Sequence, residues 1–152
     1  MKHRFAAAAL AAFSIAGAQA AGPAPSAPLG RWITESGNLE VELAPCGDAL
    51  CGTVVRVLAN RAMAGPPGQE MAPADARPAL GMVILSQLRP SGEGEYSGTI
   101  YNRENAKSYG ARLTLAAPGE LLVRAYVGLP LFGKTQVWRR AAAVGAGAGA
   151  AP

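Results

Sequence analysis

Apolar and polar residues alternate with a period of two along most of this chain, and nowhere in its central part do they follow the 3.6-residue spacing of an amphipathic helix. Leu39-Glu40-Val41-Glu42-Leu43 is the clearest case, with three apolar side chains on one face and two carboxylates on the other. The carboxylate face is expected to be solvated. Comparable patterns predict further strands over Arg31–Thr34, Gly52–Leu58, Met82–Leu88, Tyr96–Asn102, Ser108–Leu115, Leu121–Val127 and Thr135–Arg140. Turn chemistry separates most of them, at Glu35–Asn38, Pro90–Glu95, Asn102–Ala106 and Ala117–Gly119. Strands joined by short connections pair antiparallel with their neighbours, since a parallel pair needs a long crossover. With no helices to cover its faces, such an all-β meander is expected to close into a small eight-stranded antiparallel barrel, which leaves no exposed edges. An open two-sheet sandwich is the alternative architecture.

One connection breaks the rhythm. Ala59–Pro78 is long, rich in proline and glycine, and carries Met63 and Met71. Loops of this length are usually either functional lids or unstructured inserts. Across a barrel mouth, the two methionines would close a ligand entrance, because their unbranched side chains adapt to irregular apolar surfaces. A loose insert is the competing reading.

Composition sets the domain limits. Met1–Ala20 has Lys2 and Arg4 ahead of an apolar stretch and ends in Ala18-Gln19-Ala20, the form of a secretory signal cleaved near Ala20. Neither that stretch nor any later one is long enough to span a bilayer as a helix, so no transmembrane segment is expected. Ala21–Pro28 reads as a Pro/Ala linker and Ala141–Pro152 as a disordered Gly/Ala tail, leaving one β-barrel domain over Leu29–Arg140. The expected location is periplasmic or secreted. Loss of Lys2 and Arg4 lowers the net charge of +4 to +2, and His3, the single histidine, leaves with them. In an oxidising compartment, the pair Cys46 and Cys51 reads as a disulfide stapling a hairpin end. A redox role would need C-x-x-C spacing, and two thiols alone do not make a zinc site.

Gly30-Arg31-Trp32, Leu39–Leu58, Tyr101–Tyr109 and Tyr126–Arg140 resemble the exported bacterial family catalogued as domain of unknown function 2147. The similarity spans Leu29–Arg140. Its most specific parts are the Ala-Pro-Cys-Gly…Leu-Cys-Gly and Gly-Leu-Pro-Leu-Phe-Gly-Lys-Thr-Gln-Val-Trp-Arg stretches. The family pattern usually has an Asp-Pro-x-x-Gly-Lys-like hairpin near Asn102, where this chain has Arg103 for the proline and Ala106 for the glycine. The resemblance implies an ancestry and carries no activity with it. Gly30-x-Trp32 on the first strand, with Arg139 or Arg140 on the last, is also similar to lipocalin-like (calycin) barrels. That likeness implies a structural closure: the indole plugs one barrel end and a guanidinium stacks on it.

Catalytic chemistry finds little support. Gly128–Thr135 matches the phosphate-loop pattern G-x-x-x-x-G-K-[ST] letter for letter, but a strand follows where the nucleotide site needs a helix, so a hairpin turn is expected. No mature histidine can serve a serine nucleophile. Lys107 and Ser108 are adjacent, so on a strand they point to opposite faces. Glu40 and Glu42 share a face expected to be wet, whereas glycosidase-like acid catalysis needs a buried carboxyl. Asn102–Asn105 reads as an Asx-type turn rather than a calcium loop. No enzymatic activity, metal or cofactor is expected.

Charge is uneven along the chain. Residues 21–102 hold five arginines and eight acids, while residues 103–152 hold seven basic residues and two acids. A closed barrel places its last strand beside its first, so scattered solvated charges are expected rather than one basic face. Nucleic acid is not an expected partner, because the mature charge is low and no basic–aromatic platform occurs. Two functions remain. In one, the barrel binds a small, mostly apolar ligand, with Leu39, Val41, Leu43, Ile84, Leu113, Leu115, Val123 and Val127 inward. Leu43, Tyr96, Leu113, Val123 and Tyr126 are its expected ligand-lining residues. In the other, the same side chains fill the interior and the outer surface serves a protein interaction or structural role.

Overall fold

A computed structural model describes residues 27–142. The expected signal Met1–Ala20, most of the expected linker and nearly all of the Gly/Ala tail lie outside the described residues. Within them, eight strands appear in order: β1 (Gly30–Ile33), β2 (Leu39–Cys46), β3 (Ala49–Val57), β4 (Val83–Gly92), β5 (Glu95–Asn102), β6 (Lys107–Ala117), β7 (Glu120–Tyr126) and β8 (Lys134–Arg140). Each pairs antiparallel with its sequence neighbour, and β8 returns to β1 through Trp32↔Arg140 and Ile33↔Arg139, closing the barrel. The expected barrel is therefore the observed one, and the sandwich is not formed. One 3-10 turn, Pro130–Phe132, interrupts the β7–β8 connection.

Alternation dictates what fills the interior. Val41, Leu43, Val54, Leu85, Leu88, Ala111, Leu113, Leu121 and Val123 are all nearly inaccessible to solvent and pack with Trp32 and Trp138 in one cluster. The cluster sits toward the end carrying the tight turns at Gly47-Asp48, Glu93-Gly94 and Pro118-Gly119. The two tryptophans floor it. Trp32 is fully buried, donates from Nε1 to Pro28 O at 2.9 Å, and lies 4.2 Å beneath the Arg140 guanidinium. Arg140 also donates to Leu29 O at 3.1 Å. Gly30 is needed there: its φ is +103°, and a Cβ would come within 2.9 Å of Arg140 Nη1. Of the two candidate arginines, Arg140 makes the stack, while Arg139 points outward to Glu120, 3.7 Å away.

Cys46 and Cys51 are bonded across the β2–β3 hairpin, with a Cα–Cα distance of 5.8 Å. Beside them, Arg89 of β4 grips the Asp48 carboxylate through both guanidinium nitrogens at 2.7 and 2.9 Å. The Arg89 hydrogen bond, then its charge, holds the Asp48 carboxyl below the usual range.

The β2 carboxylates correct an expectation. Glu42 is partly exposed, but the Glu40 side chain is only 2% accessible. Arg56 from β3 binds it at 3.0 Å and Arg31 from β1 lies 3.6 Å away. Neighbouring strands thus supply two long guanidinium stems that cover a carboxylate the alternation alone places in water. The C-terminal cations are likewise dispersed: Arg112 meets Glu95, Arg139 meets Glu120, and Arg140 meets Trp32.

Candidate functional site

An up-and-down barrel sends alternate connections to the same end. The connections 34–38, 58–82, 103–106 and 127–133 therefore gather opposite the tight turns, and there the core stops short. A cavity of about 510 Å³ opens at that end. Leu39, Ile84, Ile100, Ala125 and Trp138 contribute its apolar lining, and Val57, Val127 and Phe132 line it from the strand ends and the β7–β8 connection. The volume lies within the range of small-ligand sites, which are mostly apolar with a few placed polar groups. Those groups are ordered along β8. Lys134, Gln136 and Trp138 are two residues apart, share a face, and all line the cavity, so an ammonium, an amide and an indole follow one another inward. Trp138 Nε1 donates to Gln136 Oε1 at 3.0 Å, whereas Lys134 makes no ion pair among the described residues. Across the mouth, Asn105 Nδ2 donates to the Tyr109 hydroxyl at 2.7 Å.

The long connection folds over this opening. Residues 60–71 double back on themselves, with an Arg61↔Glu70 bridge and bonds from Ala62 N to Gln69 O and Met71 N to Asn60 O. Asn38 pins one side. Its buried amide accepts from Arg61 N at 2.9 Å and donates to Arg61 O at 2.8 Å, mimicking a strand partner. Its carbonyl also accepts from Leu58 N and Ala59 N. Glu104 pins the other side, accepting from Met63 N at its carboxylate and from Ala74 N at its carbonyl. Met63 and Met71 both line the cavity.

A second clamp fastens the end of this segment to the outside of the barrel. Asp75 is 8% exposed and accepts from the Arg77 side chain and from the Tyr101 hydroxyl, the latter at 2.7 Å. The Arg77 hydrogen bond leads the causes that hold the Asp75 carboxyl far below its ordinary range, and the same carboxylate pushes the Tyr101 phenol upward. Beyond it, Arg77–Ile84 borders a shallow outer depression of about 580 Å³ that also takes in the outward-facing Ser86, Thr99 and Ser108.

The expected ligand-lining set needs correction. Leu43, Leu113 and Val123 are inward but lie in the filled part of the barrel, and Tyr96 packs against them. Of the five, Tyr126 alone lines the cavity, and it does so at the rim. Its ring crosses Gly110 of β6, where a Cβ would sit 2.5 Å from Tyr126 Cε2. Val127, expected inward, falls beyond the end of β7 and is 71% exposed. Residues that sequence reasoning did not assign to the site include Ile100, Tyr109, Ala125, Lys134, Gln136 and Trp138. The phosphate-loop match forms the Pro130–Phe132 turn followed directly by β8, without a helix to face an anion.

Residues 30–140 match the family model described as "Uncharacterized protein conserved in bacteria (DUF2147)". The chain belongs to this family. No curated protein sequence matches it. Among solved structures it is similar to a Helicobacter pylori protein described as "Protein HP1028 from the human pathogen Helicobacter pylori belongs to the lipocalin family", at 21% identity and a TM-score of 0.51. The likeness covers 69% of this chain and 73% of that one. At that identity it is a likeness of fold: this family member is a lipocalin-like barrel.

Proposed function

We propose that the protein is an exported, non-catalytic binding module that holds one small, mostly apolar molecule in the mouth of its barrel, within the bacterial envelope. One observation carries the reading. The barrel is packed solid around its tryptophan plug yet leaves about 510 Å³ unfilled at the opposite end, under a connection that carries Met63 and Met71. A barrel that served only as a scaffold would gain by filling that space, since each buried methylene contributes about 0.8 kcal/mol. The polar groups stand near the rim on β8 and the surrounding turns, so an apolar body would enter first and a polar end would stay near Lys134 and Gln136. Export rests on the secretory form of Met1–Ala20 and agrees with the Cys46–Cys51 disulfide, a bond that persists in oxidising compartments.

Titration with the apolar fluorophore N-phenyl-1-naphthylamine tests this. Saturable, one-to-one enhancement is expected for the native protein. Ala125→Phe, which places a ring inside the cavity, is expected to weaken it at least about tenfold with the fold retained by circular dichroism. Absence of saturation, or binding that ignores Ala125→Phe, would contradict the proposal.

A further inference from the structure

The connection between β7 and β8 carries the most exposed large apolar side chains of the described residues. Val127 is 71% exposed, Leu129 63%, Leu131 78% and Phe132 75%. A single exposed leucine is ordinary, but four such residues within six positions form a patch. The patch is also held firmly. Arg124 donates from Nε to Pro130 O at 2.6 Å, from Nη2 to Leu131 O at 3.1 Å, and from Nη1 to Thr135 Oγ1 at 2.8 Å. Phe132 N returns to Leu129 O and Gly133 N to Pro130 O, while Pro130 has no amide hydrogen to satisfy. Three carbonyls and two amides at the tip are thus bonded within the protein. A loop built this way can leave water without stranding those groups, which is the main condition for entering an apolar phase.

Charge selects the occupant. No acidic residue occurs between Leu121 and Arg140, and Lys134 stands exposed directly behind the turn without an ion pair among the described residues. Two carboxylates from adjoining elements, Glu35 and Glu104, accept from the Val137 and Met63 amides and form no ion pair with Lys134. Apolar side chains projecting beyond a cation match the layering of an anionic bilayer surface, with acyl chains beneath phosphate headgroups. Val127, Phe132 and Lys134 also line the cavity, so this tip and the mouth face the same way.

We propose that the β7–β8 tip docks the barrel mouth-first onto an anionic membrane surface, with Leu129, Leu131 and Phe132 among the acyl chains and Lys134 at the headgroups. The proposal does not depend on whether the cavity holds a ligand. Co-sedimentation of the full protein with phosphatidylglycerol vesicles and with phosphatidylcholine vesicles tests it. Binding is expected to favour phosphatidylglycerol and to fall at least about tenfold in a Leu131→Ser, Phe132→Ser double variant whose melting temperature is unchanged. In a Phe132→Trp variant, lipids brominated in the tails are expected to quench fluorescence beyond the native level. No vesicle binding, or binding insensitive to both serine substitutions, would overturn the proposal. So would a lipid-free dimer that the double variant dissociates, because a second copy would then be the occupant.

Discussion

Ala106 closes the β5–β6 turn with φ at +56°, a left-handed conformation that costs a side chain about 1 kcal/mol and costs glycine nothing comparable. The resembling family pattern places glycine there, and this chain keeps the turn geometry without it. Ala106→Gly is therefore expected to raise unfolding stability by up to about 1 kcal/mol, read from the urea midpoint at constant slope, despite the added freedom of the unfolded chain. Asp75 supplies the second residue-scale test. Its folded carboxyl lies below the ordinary value, so its contribution is complete above about pH 4 and is lost as pH falls through the folded value. Asp75→Asn should lower the melting temperature at pH 7, and the gap to the native protein should close as pH drops below about 4. A gap that stays constant down to pH 2 would mean the carboxylate charge is irrelevant.

At the scale of elements, all eight strands were legible, most of them because one face is buried and the pattern alternates. The ends were less so. β2 runs on through Ala44-Pro45-Cys46 and β4 through Arg89–Gly92, where prolines break the pattern but hairpin pairing continues to the turn. In β4, Ile84 and Leu85 are both buried, and Gln87 has φ at +53° in a stretch where the register shifts. A Val-Ile-Leu run gives no period from which such a shift could be read. The cavity lining was missed for a related reason. Alternation separates inside from outside, but it does not say how deep along the barrel axis a side chain sits. Turn positions could have said so, since inward residues nearest the long connections must border the mouth: Leu39, Ile100, Ala125 and Gln136 satisfy that condition. The staple lies at the other end. Cys46→Ala with Cys51→Ala is expected to cost about 2 kcal/mol by loop closure, seen as an earlier urea midpoint, while fluorophore affinity stays unchanged.

On the scale of the whole molecule, the barrel divides into a sealed half and an open half. Trp32, Arg140, the disulfide and the Asp48–Arg89 pair secure one end, and the 58–82 connection, the cavity and the apolar β7–β8 tip share the other. The two expected functions, a hollow carrier and a filled scaffold, treated the interior as one space, whereas packing differs between its ends. Native mass spectrometry of the full protein, after incubation with an envelope lipid extract, tests the division most directly. A reproducible excess mass, released by solvent as a small apolar molecule and missing from Ala125→Phe, is the predicted result. A bare polypeptide mass under the same conditions would contradict the account and leave the open half without a ligand.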